Sequence, residues 1–182
     1  TKVGEEYNWI IDPLDGTTNF LHGIPTYSVS IALKQNDTVV LGVVYEVNRD
    51  ECFYAWKGSH AFLNGNKIQV SKTNKLADSL LATGFPYYDY ERSDEYFELL
   101  KTLAKSSRGI RRIGSAAVDL VYTACGRLDA FFEYSLHAWD VAAGAFIVQQ
   151  AGGVIHDFSG GDNWLFGKEI IAVNPRLKQE FG

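Results

Sequence analysis

Residues 7–20 read Tyr7-Asn8-Trp9-Ile10-Ile11-Asp12-Pro13-Leu14-Asp15-Gly16-Thr17-Thr18-Asn19-Phe20, and their reading decides the fold class. The run from Tyr7 to Asp12 is apolar and β-prone and stops at Pro13, the pattern of a buried strand ending in a sharp turn. A helix is expected to begin near Thr17, so strand and helix meet within a few residues. That junction carries two carboxylates, Asp12 and Asp15, with a proline fixing the backbone between them. Acids so placed can converge on one hard cation such as Mg²⁺. Gly16 permits close backbone approach, and the free N–H groups of the helix start would face an anion. Alone, the pattern also suits a plain turn in which Asp15 only caps the helix.

Working outward, residues 27–56 read as a β-meander: YSVSIALK, a QND turn, TVVLGVVYEV, an NRDE turn and CFYAW. Asn64-Gly65-Asn66 marks a further hairpin within residues 62–70. Ser93 is placed to cap a helix whose apolar face carries Tyr96, Phe97, Leu100 and Leu103 and which ends near residues 107–109. A second helix is expected over Ala116–Cys125, closed by Gly126 and followed by the strand-like LDAFFEY. A third is expected from Asp140 until Gly152 and Gly153 stop it. VIHDF and EIIAV read as short strands. Mixed α and β structure follows, with no repeat and no linker.

The 182 residues are 46% hydrophobic and 21% charged, a globular composition that excludes disorder and fibrous classes. A formal charge of −5 gives no footprint for nucleic acid or an anionic membrane, so no nucleic-acid partner is expected. No apolar run approaches the roughly 20 residues of a membrane span. Cys52 and Cys125 stand apart from each other and from the four histidines, which lack zinc spacing. Two unpaired cysteines and no signal segment place the expectation in the cytoplasm. GxSxG, P-loop and GxGxxG patterns are absent.

A second constellation reads His137-Ala138-Trp139-Asp140-Val141-Ala142-Ala143-Gly144. Asp140 at a helix start is open to two readings, an N-cap or the third acid of a two-metal site. The small residues behind it would let the helix approach the first cluster closely.

The strings WIIDPLDGTTNF and WDVAAGAFIVQQAGG resemble the two signature motifs of the inositol monophosphatase family, the Mg²⁺-dependent, lithium-sensitive phosphomonoesterases. The resemblance continues through GVVYEV, AWKGSHAFLNG, LLATGFPY, RRIGSAAVDL, GRLDAFFE and IIAVNPR, so it spans the chain. It implies an α/β layered sandwich of 1–182 in which helix layers alternate with mixed, largely antiparallel sheets. It further implies two or three Mg²⁺ ions, with Asp12 bridging two of them, the Leu14 carbonyl helping to bind the first, and Asp15 and Asp140 binding the second. Thr17 would hold the attacking water and the Gly16 and Thr17 amides the phosphate. Gly114, Ser115, Ala116 and Glu133 would line the alcohol side of the pocket. For Glu133, the residue itself also admits a solvated strand-end acid. The implied reaction is in-line hydrolysis of a small phosphorylated polyol or sugar, with inositol monophosphate foremost and a homodimer as the assembly.

One departure concerns the first metal site, for which the family also uses a Glu well upstream of the DPLDGT strand. Glu5 and Glu6 imitate it in VGEE, but an extended chain at about 3.3 Å per residue puts Glu5 on the order of 20 Å from Asp12. Co-ligands of Mg²⁺ must each come within about 2.1 Å of the ion. The expectation is therefore a chain without the family's N-terminal helices and first metal-binding Glu. Arg111 and Arg112 could steer a phosphate or stay solvated, and His137 belongs to the pocket or its rim. Competing readings are a related phosphatase acting on histidinol phosphate, fructose bisphosphate or NADP, and a non-catalytic binding protein.

Overall fold

The computed structural model describes residues 4, 6–85 and 92–181. In chain order the elements are β1 (Tyr7–Asp15), α1 (Thr17–Leu21), β2 (Ser28–Gln35), β3 (Thr38–Glu46), β4 (Glu51–Trp56), β5 (Ala61–Leu63), β6 (Asn66–Ile68), β7 (Leu80–Thr83) and α2 (Ser93–Ser106). There follow β8 (Gly109–Arg111), α3 (Ala116–Ala124), β9 (Ala130–Tyr134), α4 (Ala138–Gln150), β10 (Val154–His156) and β11 (Glu169–Val173). Strands β1 to β6 form one antiparallel sheet in chain order, the expected meander with the expected hairpin at its end. That hairpin turns on Asn64 and Gly65, both at positive φ (47° and 83°), as a two-residue loop between twisted strands demands.

The second sheet runs β10-β11-β9-β7-β8 and is mixed, with β7 parallel to both β8 and β9. Helices α3 and α4 lie between the sheets. Their Leu120, Val121, Ala143 and Ile147 share a core with Ala32, Val44 and Phe53 on one side and with Ala82, Phe131 and Ile170 on the other. Helix α2 covers the outer face of the second sheet, where Tyr96 and Leu103 pack with Leu81, Phe132 and Val173. The order sheet, helices, sheet, helix is the alternation expected. Truncating a fully buried side chain such as Leu120 or Ile147 to alanine would cost about 2–5 kcal/mol, since the interior closes only partly over the gap.

The run Ala142-Ala143-Gly144-Ala145 brings α4 close to its neighbours. At Gly42 in β3 an added Cβ would lie 2.7 Å from the Ala143 carbonyl oxygen, so helix and sheet meet backbone to backbone. Close packing in turn carries the first turn of α4 to the end of β1.

Four expectations are corrected. Strand β1 does not stop at Pro13 but continues to Asp15, with its pairing interrupted between Asp12 and Asp15. Proline is tolerated because β1 is an edge strand and needs hydrogen bonds on one side only. Alternation along β1 also turns Tyr7, Trp9 and Ile11 to the sheet face away from α3 and α4, so they are exposed rather than buried. At α2 the N-cap position belongs to Arg92 and no side chain caps it; Ser93 is already helical. Helix α4 begins at Ala138, two residues before Asp140, with His137 at the N-cap position. Strands β7 and β8 were not anticipated. Glu6 hydrogen-bonds Gln35 at the far end of β1, away from Asp12, whereas Glu5, Pro86 and Tyr87 lie outside the described residues.

Candidate metal and phosphate site

Three elements end at one cleft of about 500 Å³: β1, the start of α3 and the start of α4. Their carboxylates Asp12, Asp15 and Asp140 each offer an oxygen, and these oxygens lie within 4.8 Å of one another. Each is held differently. Asp12 turns one oxygen back to accept the Leu14 N–H at 2.9 Å, which fixes the Pro13 turn. Asp140 accepts the His137 N–H at 2.7 Å, so it closes the first turn of α4 while it faces the cluster. Asp140 is therefore not the N-cap, which is His137; from the third helical position it accepts the N-cap N–H while it faces the other two aspartates.

Asp15 caps a helix, but a distant one. Its Oδ2 accepts the Ser115 hydroxyl at 2.5 Å and the Ala117 N–H at 2.8 Å, both at the N-terminus of α3. Its own neighbour α1 has Gly16 at the N-cap position and no side-chain cap. Gly16 sits at φ 86°, and a Cβ there would meet the Thr26 and Gly114 carbonyl oxygens at 3.0 and 3.3 Å. Both the left-handed backbone and the tight approach require glycine. Asn19 ties the same turn to α3 by donating to the Thr26 and Ile113 carbonyls.

Burial dominates the electrostatics. Desolvation, offset partly by Ser115 and Ala117 and reinforced by Asp140 and Asp12, pushes the Asp15 carboxyl up to about 7. Asp140 is also raised, first by burial. Crowded, desolvated acids of this kind repel one another unless a cation lies among them, and hard oxygen donors match Mg²⁺. The residues therefore fit the cation that the sequence suggests.

The structure brings the remaining expected residues to the same cleft: Leu14, Gly16, Thr17, Gly114, Ser115, Ala116 and Glu133 all line it, as do Arg112 and His137. The Thr17 hydroxyl donates to the Leu14 carbonyl at 2.9 Å. Glu133 is buried rather than solvated. Alternation along β9 sends Phe132 and Tyr134 toward α2 and Phe131 and Glu133 toward α3, and desolvation with the nearby Asp15 raises Glu133 to about 8. His137 stacks on Trp139 at the rim, with ring centroids 4.4 Å apart.

Sequence reading singled out none of four further lining residues, Gly84, Asp119, Ser135 and Leu136. Asp119 is fully enclosed, with its carboxyl pushed well above the ordinary range by burial and by Glu133 and Asp15. A signal existed: Asp119 is the one charged residue in the otherwise apolar helix AAVDLVYTA. Gly84 gave none.

Alternating sheet and helix layers with an acidic, cation-compatible cleft at the joined ends of β1, α3 and α4 define the class of phosphatase-type layered α/β proteins. Within that class the chain belongs to the inositol monophosphatase family, which it matches over residues 1–181. It is 47% identical over 176 residues to a putative Nus factor SuhB of Neisseria meningitidis serogroup B, covering 97% of this chain and 67% of the relative. It is 41% identical over 174 residues to an inositol-1-monophosphatase of Mesorhizobium japonicum, covering 96% and 65%. The inositol monophosphatase of Anabaena superposes with a TM-score of 0.94 at 38% identity, over 99% of this chain and 71% of that one. The chain thus spans about two thirds of the length of the curated relatives it matches. Among the described residues no helix is long and apolar enough to cross a membrane.

Proposed function

We propose that the chain carries the cleft of a Mg²⁺-dependent phosphomonoesterase that hydrolyses a small phosphorylated polyol or sugar, with inositol monophosphate foremost. The observation that carries this reading is the convergence of Asp12, Asp15 and Asp140 within 4.8 Å beside a cleft deep enough for a small ester. These three carboxylates, with the Leu14 carbonyl, would hold the ions. Bound there, Mg²⁺ supplies positive charge that acidifies a water and offsets charge on the phosphoryl oxygens.

The chain's own groups do the rest. The Thr17 hydroxyl donates a hydrogen bond to the Leu14 carbonyl, which leaves its oxygen free to accept a hydrogen bond from the attacking water and aim it. The Gly16 and Thr17 amides, in the tight turn that only glycine allows, face the phosphate. Ser115 and Ala117 fix Asp15 by donating to its Oδ2, which preorganises that ligand. Gly114, Ser115, Ala116 and Glu133 form the wall facing the alcohol. Attack proceeds in line, without a covalent phospho-enzyme.

The test is inorganic phosphate release from inositol 1-phosphate by the full-length protein, with Mg²⁺ present and then removed by chelator. Mg²⁺-dependent release supports the reading, and its absence at every Mg²⁺ concentration contradicts it. Lithium should inhibit the release.

A second reading is favoured by the name Nus factor SuhB, borne by relatives at 42–46% identity. In it the protein acts through transcription partners, nucleic acid included, and the cleft is secondary. A protein that binds no Mg²⁺ and releases no phosphate would support this alternative.

A further inference from the structure

At the inner end of the cleft lie two carboxyl groups outside the three-aspartate cluster, Asp119 from α3 and Glu133 from β9. Asp119 is 1% exposed, and its Oδ1 has no hydrogen-bond partner among the described residues. An enclosed acceptor left bare costs stability unless a ligand completes it, and Asp119 borders the cleft.

Glu133 is seated with unusual closeness. Its carboxyl lies over Gly84, where an added Cβ would collide with Cδ and both carboxyl oxygens. Gly84 does not adopt a left-handed backbone, and what a side chain there would meet first is this carboxyl, which would have to move aside. The seat is fixed, because the Tyr96 hydroxyl donates to the Gly84 carbonyl at 3.0 Å and Thr83 donates to the Phe132 carbonyl at 2.7 Å.

We propose that Asp119 and Gly84 determine specificity: the Asp119 carboxyl and the Glu133 carboxyl, held in place by Gly84, together take two hydroxyl groups of the alcohol half of the substrate. The proposal rests on the phosphomonoesterase reading. Carboxyl groups are strong hydrogen-bond partners for hydroxyls, and an ester whose alcohol half carries no further hydroxyl would leave the Asp119 Oδ1 without a partner among the described residues. A phosphorylated polyol satisfies them; a phosphorylated simple alcohol does not.

The experiment compares inositol 1-phosphate with phenyl phosphate, using the full-length protein and its D119A, D119N and G84A variants in Mg²⁺. D119A should lower the ratio of kcat/KM for inositol 1-phosphate over phenyl phosphate by about tenfold, the effect of one lost buried hydrogen bond. D119N keeps an acceptor in place and should lie closer to the parent ratio. G84A, which leaves Asp119 intact and displaces Glu133, should shift the ratio as D119A does, so the idea survives if D119A fails to fold. An unchanged ratio in folded D119A and G84A overturns it. Calorimetry with inositol 1-phosphate and with inorganic phosphate reads the same selectivity without turnover. If the parent protein binds the ester but releases no phosphate, the catalytic reading falls alone. Weaker ester binding by D119A with unaltered phosphate binding would then still support the hydroxyl contacts, whereas equal ester binding would overturn them. A parent protein that binds neither compound overturns both.

Discussion

The carboxylates of Asp157 and Asp15 are both buried, yet their surroundings treat them in opposite ways. Asp157 sits in a loop that wraps it in donors: the N–H and hydroxyl of Ser159 and the N–H of Gly161 reach one oxygen, and the Asn163 N–H reaches the other. These bonds hold its pKa below the ordinary value. Asp15 receives two donors on one oxygen only and faces two further acids, and its carboxyl rises to about 7. The loop neutralises its charge internally. The cleft leaves charge for something brought from outside, and that difference separates a structural acid from a ligand-binding one.

The sharpest way to break the comparison is to remove one acid from each region. Asp15→Asn or Asp140→Asn should reduce Mg²⁺-dependent phosphate release by about a hundredfold or more, with circular dichroism unchanged. Asp157→Asn should leave release within about threefold and instead lower the melting temperature by several degrees, because Asn places a donor where four donors already point. Equal activity losses at both sites would erase the distinction.

The contrast also predicts a pH dependence. Asp15 and Glu133 titrate near 7 and 8 in the folded chain, above their ordinary values of 3.8 and 4.5. A raised acid stabilises the fold below its unfolded pKa, and that contribution disappears as pH rises through the folded value. Metal-free protein should therefore lose stability between about pH 4 and pH 8, by an amount on the order of a few kcal/mol. Mg²⁺ should restore it, so the gain in melting temperature on adding Mg²⁺ should be larger at pH 8.5 than at pH 5. Scanning calorimetry at both values checks the sign.

The smallest effect is expected at the Arg127–Glu51 pair, bonded at 2.5–2.7 Å but with Arg127 well exposed. Arg127→Ala should cost less than about 1 kcal/mol in a denaturant titration and leave phosphate release unaltered.

Much of this was legible in the sequence, for identifiable reasons. Alternation over Ser28–Trp56 and the Asn64-Gly65 turn encode their hairpins locally, and Gly126 marks the end of α3 where its own backbone requires it. Asp12, Asp15 and Asp140 were found because two local patterns each carry their own chemistry. What escaped depends on distant partners. Strands β7 and β8 have four and three residues and gain their identity from parallel pairing with β9 and each other, not from a pattern of their own. The extent of β1 past Pro13 follows from its place at a sheet edge, and the cap formed by Asp15 joins residues a hundred positions apart. Gly84 has its contact with Glu133, whose carboxyl lies across it, from forty-nine positions further on in the chain, which no local pattern announces.

The central claim is that Asp12, Asp15 and Asp140 form a divalent-cation site. Titration calorimetry of Mg²⁺ into the full-length protein and its Asp15→Asn, Asp140→Asn and Asp157→Asn variants tests it most directly. Saturable binding is expected in the parent and in Asp157→Asn, with weak or no binding in the other two. Undiminished Mg²⁺ binding in both Asp15→Asn and Asp140→Asn, or no binding in the parent, would contradict it.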